Sequence, residues 1–312
     1  MKTAALITAI VAGVGLLAAF AWAWTPDRAL DELKSRYANG ADDFREIAGT
    51  RLHLRDQGPH DAPAVVLLHG FGASLHTWEP WAETLAGSFR VISLDLPGGG
   101  LSGPDPTGDY SDARSLEIIA SLLDELGLAR ASLVGNSMGG RIAWRFAAEF
   151  PERVERLVLI APDGFSSPGF EYGVAPEVPA VLRLMRHALP RSVLRMNLQA
   201  AYADPAALSD AVVQRYHDLM LAPGNRDALL DRMAQVMLVP PEPLLGRIQA
   251  PTLLVWGEQD AMVPFSNADD YLAALPDARL VSFADLGHVP HEEAPVRSLP
   301  PVLDFLNGHR SP

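Results

Sequence analysis

The sequence predicts an α/β protein built on a doubly wound, mostly parallel sheet with helices on both faces. Three observations carry this. A continuous apolar run at 64–68 is followed by similar short, mostly apolar runs at 91–94, 131–134, 157–160, 252–255 and 280–283. Such runs mark strands buried on both faces. Helical stretches at 114–126, 138–149, 266–274 and 296–307 lie between or after them, and strand–helix alternation is the pattern of a doubly wound sheet. One interval, 163–243, has no such run and reads instead as several helices broken at Pro190, Pro205 and Pro223-Gly224.

That interval follows one strand run and precedes another. An insertion there sits over the carboxyl ends of the strands, where α/β sheets bind ligands. The segments 44–162 and 244–312 are therefore expected to form the core and 163–243 a helical cap. Residues 51–55 alternate as a strand. Residues 27–43 read as an amphipathic helical spacer, with Leu30, Leu33 and Tyr37 at helical spacing.

Residues 4–24 contain no charge, and 21 residues of helix span a bilayer core of about 30 Å. Trp22 and Trp24 stand where interfacial aromatics belong, and Pro26-Asp27 ends the run. Residues 1–26 are expected to be an uncleaved membrane anchor, with the remainder on the periplasmic side of a bacterial inner membrane. The alternative is a secretory signal cleaved at Ala19-Phe20-Ala21 or Ala21-Trp22-Ala23, which have the small-x-small form. Lys2 and the group Arg28, Lys34 and Arg36 pull the orientation in opposite directions.

Composition removes several function classes. Of 312 residues, 48% are hydrophobic and 20% charged, which is the balance of a globular enzyme and not of a disordered chain. The absence of cysteine excludes a disulfide scaffold, a thiolate nucleophile and Cys-ligated metal. A net charge of −13 sets nucleic acid aside as a partner.

The chemistry gathers at loops that follow strands. Gly135-Asn136-Ser137-Met138-Gly139 fits G-x-S-x-G between the run ending at Val134 and the helix 138–149. A serine on so sharp a turn projects its Oγ above the sheet, and it needs a base held by an acid. Asp260 lies in the loop after the run 252–255, and His288 in the loop after the last run. In a parallel sheet both loops emerge on the edge that carries Ser137. Asp163, after the strand before the cap, is a second candidate for the acid.

On these residues, with His69-Gly70-Phe71-Gly72 and Asp95-Leu96-Pro97-Gly98-Gly99-Gly100-Leu101-Ser102 beside them, the chain from about 44 to 308 resembles the α/β-hydrolase superfamily. The resemblance implies an α/β-hydrolase fold with an inserted cap. It implies Ser137 as nucleophile, His288 as general base then acid, and Asp260 as the residue that orients the imidazole. It also implies an oxyanion hole from the backbone N–H groups of Phe71 and Met138. His69 is expected to shape that loop by hydrogen bonding to backbone. The segment His288-Val289-Pro290-His291-Glu292 lacks the helical spacing of a zinc motif, and Gly98-Gly99-Gly100 lacks the Lys-Ser/Thr of a phosphate loop. No metal and no cofactor is implied. Met185, Met196 and Met233, three of five cap methionines, are candidates to line an apolar acyl pocket, or else form the core of the cap.

A serine triad implies acyl transfer to water. It excludes the haloalkane dehalogenase and epoxide hydrolase branches, which need a carboxylate at the position of Ser137. The expected activity is cleavage of carboxylic esters with apolar, lipid-like acyl groups near a membrane. The segment Gly-Asn-Ser-Met-Gly-Gly is also similar to meta-cleavage product hydrolases, which break a carbon–carbon bond. Those commonly carry tryptophan directly after the catalytic histidine, where this chain has Val289. A perhydrolase and an idle binding protein on the same fold complete the alternatives.

Overall fold

The computed structural model describes residues 23–166, 171–174 and 176–309, with Ile10, Gly13 and Gly15 as isolated positions. Eight strands form one sheet in the order β1-β2-β4-β3-β5-β6-β7-β8. The strands are β1 (Phe44–Ile47), β2 (Thr50–Gln57), β3 (Ala64–Leu68), β4 (Arg90–Leu94), β5 (Ala131–Asn136), β6 (Val154–Ile160), β7 (Thr252–Gly257) and β8 (Ala278–Phe283). Pairing from β4 through β8 is parallel, and β1 and β2 add an antiparallel edge.

The mostly apolar runs have the consequence that pattern demands. Every residue of β3, β4, β5 and β7 is buried, and the side chains alternate between two cores because a strand has a period of two. Val65 and Leu67 face Trp78, Trp81, Val302 and Phe305. Val66 and Leu68 face Ile118, Leu122, Ile142 and Phe146. Burying one such aliphatic side chain contributes about 1.5–3 kcal/mol. β8 is only partly buried, as befits an edge strand.

Strand β1 was not among the expected strands. It pairs with β2 through the two-residue turn Ala48-Gly49, whose φ angles of 48° and 74° are both positive. Two positive φ angles make the hairpin turn that matches strand twist. Alanine in the first position hides a signal that Asn-Gly would have made plain.

Between Ile160 and Thr252 the described residues form no strand of the sheet. They form the helices Ala180–Arg183, Arg191–Gln199, Asp210–Met220, Asn225–Gln235 and Glu242–Leu245, joined by turns. Leu189, Leu194 and Leu221 form one small core there, and Tyr202, Leu208 and Val213 another. Ser209 caps the helix Asp210–Met220 by accepting from the N–H of Val212.

Residues 27–43 are no free spacer. The helix Leu30–Tyr37 buries Leu33 against Leu101, Leu219 and Ala222. The segment before it is tied to the cap. Thr25 N–H donates to His187 O at 2.9 Å, and Arg28 N–H to Leu221 O at 2.8 Å. Arg226 donates to Thr25 O at 2.8 Å and to Asp27 Oδ1 at 2.6 Å. Among the described residues no helix is long and apolar enough to cross a membrane. The expected anchor at 1–26 lies mostly outside them.

Candidate active site

Ser137 sits between the end of β5 and the helix Met138–Glu149 at φ 53°, ψ −118°. This is a left-handed position that costs a non-glycine residue about 1–3 kcal/mol. The turn is held from both sides: Ser137 N–H donates to Ile160 O at 3.0 Å, and its carbonyl accepts from Asp163 N–H at 3.1 Å. The flanking glycines are required for space. A Cβ on Gly135 would stand 2.3 Å from Gly139 O, and one on Gly139 would stand 2.2 Å from Leu68 O.

Asp260 follows β7 and His288 follows β8, and the sheet brings them together. His288 Nδ1 and Asp260 Oδ2 are 2.7 Å apart, with both side chains buried. The other carboxylate oxygen accepts from Met262 N–H at 2.7 Å and Val263 N–H at 2.9 Å. A carboxylate so held keeps the proton of the imidazole on Nδ1 and leaves Nε2 as the acceptor. Close packing of glycines brings the two loops together, since a Cβ on Gly257 would stand 2.2 Å from Gly287 O. Among the described residues Ser137 Oγ has no hydrogen-bond partner, and a nucleophile–base bond commonly closes only with substrate in place.

The N–H groups of Phe71 and Met138 donate to no other described residue, which leaves them available to an oxyanion. The Phe71 loop is shaped by His69. Its Nδ1 bonds Gly70 O at 2.7 Å, and its Nε2 accepts from Leu96 N–H at 2.9 Å. Burial pushes the His69 pKa down and keeps the ring neutral, as these two bonds require.

Ser137, Phe71 and Met138 line a cavity of about 400 Å³. Its walls include Leu182, Met233, Val236, Met262 and Val263, with Arg141, Asp163 and Arg232 among them. Of the candidate methionines, Met233 lines this cavity. Met185 instead packs on the cap core of Leu189, Leu194 and Leu221. Met196 is 69% exposed on the outer face of the helix Arg191–Gln199. These two placements correct the expectation, because helical spacing alone does not say which side of a cap helix faces the core.

Asp163 lies at the cavity without reaching the imidazole. Arg141 Nη1 donates to its carboxylate at 2.7 Å. His291 is buried, stacked on Trp78 with ring centroids 4.2 Å apart. Burial, with His288 nearby, pushes its pKa down to about 3. Val289 points into the cap cluster of Tyr202, Leu208 and Val213. Gly98, Gly99 and Gly100 are a tight floor; a Cβ on Gly100 would overlap the carboxyl of Asp95.

Three residues escaped sequence reasoning. Asn136, inside the G-x-S-x-G motif, donates through Nδ2 to His288 O and Ile160 O, both at 3.1 Å. Arg141 bridges Asp163 and Asp112 beneath the cavity. Arg232 donates from the cap to Pro97 O at 2.8 Å and Tyr110 O at 3.4 Å. Burial and the nearby Arg141 lower its pKa to about 10. Only Asn136 could have been suspected, from its place beside Ser137 in the G-x-S-x-G motif.

Residues 63–295 match the family model described as alpha/beta hydrolase fold. The chain is a hydrolase of the α/β-hydrolase fold. This member is 32% identical to a 2-hydroxy-6-oxononadienedioate/2-hydroxy-6-oxononatrienedioate hydrolase of Burkholderia vietnamiensis, over 87% of this chain and 95% of that protein. The similarity to meta-cleavage product hydrolases around Ser137 therefore extends along most of the chain. Among solved structures it is similar to a bacterial membrane phospholipase A, with TM-score 0.73, 27% identity and coverage of 99% of both chains. It is also similar to the enol-lactonase of Burkholderia xenovorans, with TM-score 0.74, 26% identity and coverage of 85% of this chain and 99% of that one.

Proposed function

We propose that this hydrolase cleaves carboxylic esters with apolar, lipid-like acyl groups through an acyl-enzyme on Ser137. The observation that carries the reading is the cavity itself. The nucleophile lies among Met233, Val236, Leu182 and Val263, and Leu182, Met262 and Phe71 carry this apolar lining out to the surface. An apolar chain gains about 25 cal/mol for each Å² that it buries there.

In this mechanism His288 Nε2 takes the proton of Ser137 Oγ as it attacks the ester carbonyl. Asp260 stabilises the resulting imidazolium, and the N–H groups of Phe71 and Met138 receive the oxyanion. One such donor is typically worth about 10²–10³ in kcat. His288 returns the proton to the leaving alcohol, and water activated by the same imidazole releases the acid. No cofactor takes part.

Likeness to the membrane phospholipase A supports this reading, because it covers 99% of both chains. The hydrolases of Burkholderia vietnamiensis and Burkholderia cepacia named for 2-hydroxy-6-oxo-dienoate substrates cover 87% and 84% of this chain. The uncharged run 4–24 supports a membrane-anchored protein facing the periplasm. The second reading is hydrolysis of a meta-cleavage product. It is favoured by 30–32% identity to hydrolases of that kind, and opposed by Val289 in the place of their customary tryptophan.

One experiment separates them. The full chain in detergent is assayed on p-nitrophenyl esters of increasing acyl length and on a 2-hydroxy-6-oxo-dienoate, beside Ser137→Ala. The ester reading requires higher kcat/KM on medium or long esters, lost in Ser137→Ala. Faster cleavage of the dienoate would transfer the assignment to carbon–carbon hydrolysis.

A further inference from the structure

The exposed apolar surface is unevenly placed. Among the described residues thirteen large hydrophobic side chains are exposed. Seven belong to the cap segment, two (Phe71 and Met262) to the mouth of the cavity, and Val296 alone to the rest of the catalytic body; the others precede residue 31. Val181 and Leu184 are 69% and 54% exposed, and Val193 and Met196 are 47% and 69% exposed. They lie on the short helical stretch Ala180–Arg186 and on one side of the helix Arg191–Gln199. Exposed apolar side chains gathered on one segment mark a candidate interaction surface, since soluble monomers rarely expose large apolar patches.

The same stretch is basic. From residue 178 to 203 the sequence has Arg183, Arg186, Arg191 and Arg195 and no acidic residue, in a chain of net charge −13. Arg191 and Arg195 meet Asp210, and Arg186 meets Asp227, from the neighbouring cap helices. Arg183 meets no acidic group among the described residues. Arginine among exposed aliphatic side chains is the composition of a helix that lies in the interface of an anionic bilayer.

The chain says which partner belongs there. The uncharged run 4–24 ends at Trp24. Trp24 pairs with Ala188 as an antiparallel bridge and stacks on His187 with ring centroids 5.5 Å apart. Residues 187 and 188 are the link between the two apolar, basic helical stretches. The most membrane-like segment of the sequence therefore enters the folded protein at the middle of this face.

We propose that the outer face of the cap, from Ala180 to Gln199, lies on an anionic lipid bilayer and presses the mouth of the cavity against it. Leu182 is both on this face and in the cavity wall, so an acyl chain can pass from lipid to Ser137 along apolar surface. The purpose of the docking rests on the lipid-ester reading; the docking itself does not.

The absence of cysteine makes the test direct. Single cysteines are introduced as Val181→Cys, Val193→Cys and, on the catalytic body, Val296→Cys. Each full-length protein is labelled with an environment-sensitive fluorophore and reconstituted in vesicles of phosphatidylethanolamine and phosphatidylglycerol. The proposal requires blue-shifted emission at 181 and 193, quenched by nitroxide-bearing lipid, with neither effect at 296. Emission at 181 and 193 like that at 296 overturns it. A blue shift without lipid quenching, lost on dilution, assigns the face to a second copy and overturns it too. Equal quenching in vesicles of phosphatidylcholine alone would remove the role of the arginines. The label reads docking without turnover, so a docked protein that cleaves no lipid ester sinks the proposed function alone.

Discussion

Asn136 and His288 are joined by a hydrogen bond from the amide Nδ2 of one to the backbone carbonyl of the other, at 3.1 Å. The residue before Ser137 thus holds the loop that carries His288, and its second bond reaches the end of β6 at Ile160. Replacing Asn136 by Ala leaves the buried carbonyl of His288 without its donor, which costs about 1–3 kcal/mol, while Ile160 O keeps the N–H of Ser137. The expected outcome is a fall in kcat larger than the change in KM, since the loop loses position and the cavity does not. Steady-state kinetics with a Tm measurement checks it, and a change confined to KM would count against the tether.

Asp260→Asn keeps a carbonyl oxygen for the N–H groups of Met262 and Val263 but presents no carboxylate to His288. A fall in kcat of the order of 10⁴ is expected, by analogy with the same change in other serine triads. Labelling of Ser137 by a fluorophosphonate should slow in parallel. Labelling at the parental rate would show that Asp260 does not orient the base.

Met233→Ala opens the cavity, whereas Met185→Ala removes a side chain from the cap core. The first is expected to move the optimum toward longer acyl chains. The second should lower Tm and leave the chain-length profile unchanged. Profiles measured on a series of p-nitrophenyl esters decide this, and a profile shift from Met185→Ala alone would reverse the placement.

Gly139→Ala is expected to cost about 3 kcal/mol or more, because the new Cβ meets the carbonyls of Leu68 and His69 at 2.2 and 2.6 Å. Backbone cannot give way there without displacing the Phe71 loop. Soluble yield and urea unfolding report it, and parental stability would refute the close approach.

Asp95 is fully buried and accepts from the N–H groups of Leu75 and Leu101 at 2.7 and 2.8 Å, with His53 Nδ1 at 2.7 Å. Burial alone would raise its pKa; the charge and hydrogen bond of His53, with the charge of His76, outweigh burial and bring it to about 2 from the ordinary 3.8. The folded state holds the lower value, so the stabilisation is complete above about pH 4 and is lost as pH falls toward 2. It amounts to about 2 kcal/mol. Asp95→Asn should flatten the acid limb of stability measured by urea unfolding between these pH values.

The parts of this fold legible in the sequence are those set by local pattern. β3, β4, β5 and β7 are apolar at nearly every position because both faces are buried, and Ser137, Asp260 and His288 follow strands that the same runs reveal. What escaped depends on long-range geometry. β1 rests on an Ala-Gly turn, the ties of Asn136 and Arg232 are to backbone atoms 152 and 135 positions away, and Met196 shares its helix with the buried Leu194 while facing the other way. Helical periodicity finds a face; only packing says what that face meets.

The strap of residues 24–28 gives the molecule an unusual mechanical order. A load applied at the N-terminus does not reach the sheet first. It passes through Trp24 and Thr25 to residues 187–189, and through Asp27 and Arg28 to Arg226, Asp218 and Leu221. Tyr37 is the coupling: its hydroxyl holds Asp218 of the cap at 2.7 Å, while its carbonyl holds Arg55 and His76 of the body at 3.1 and 2.9 Å. With the N-terminus held still, the cap is held first, and the catalytic body is held through it, at Tyr37 and at ties such as Arg232 to Pro97 O and Asn225 to Gly100 O.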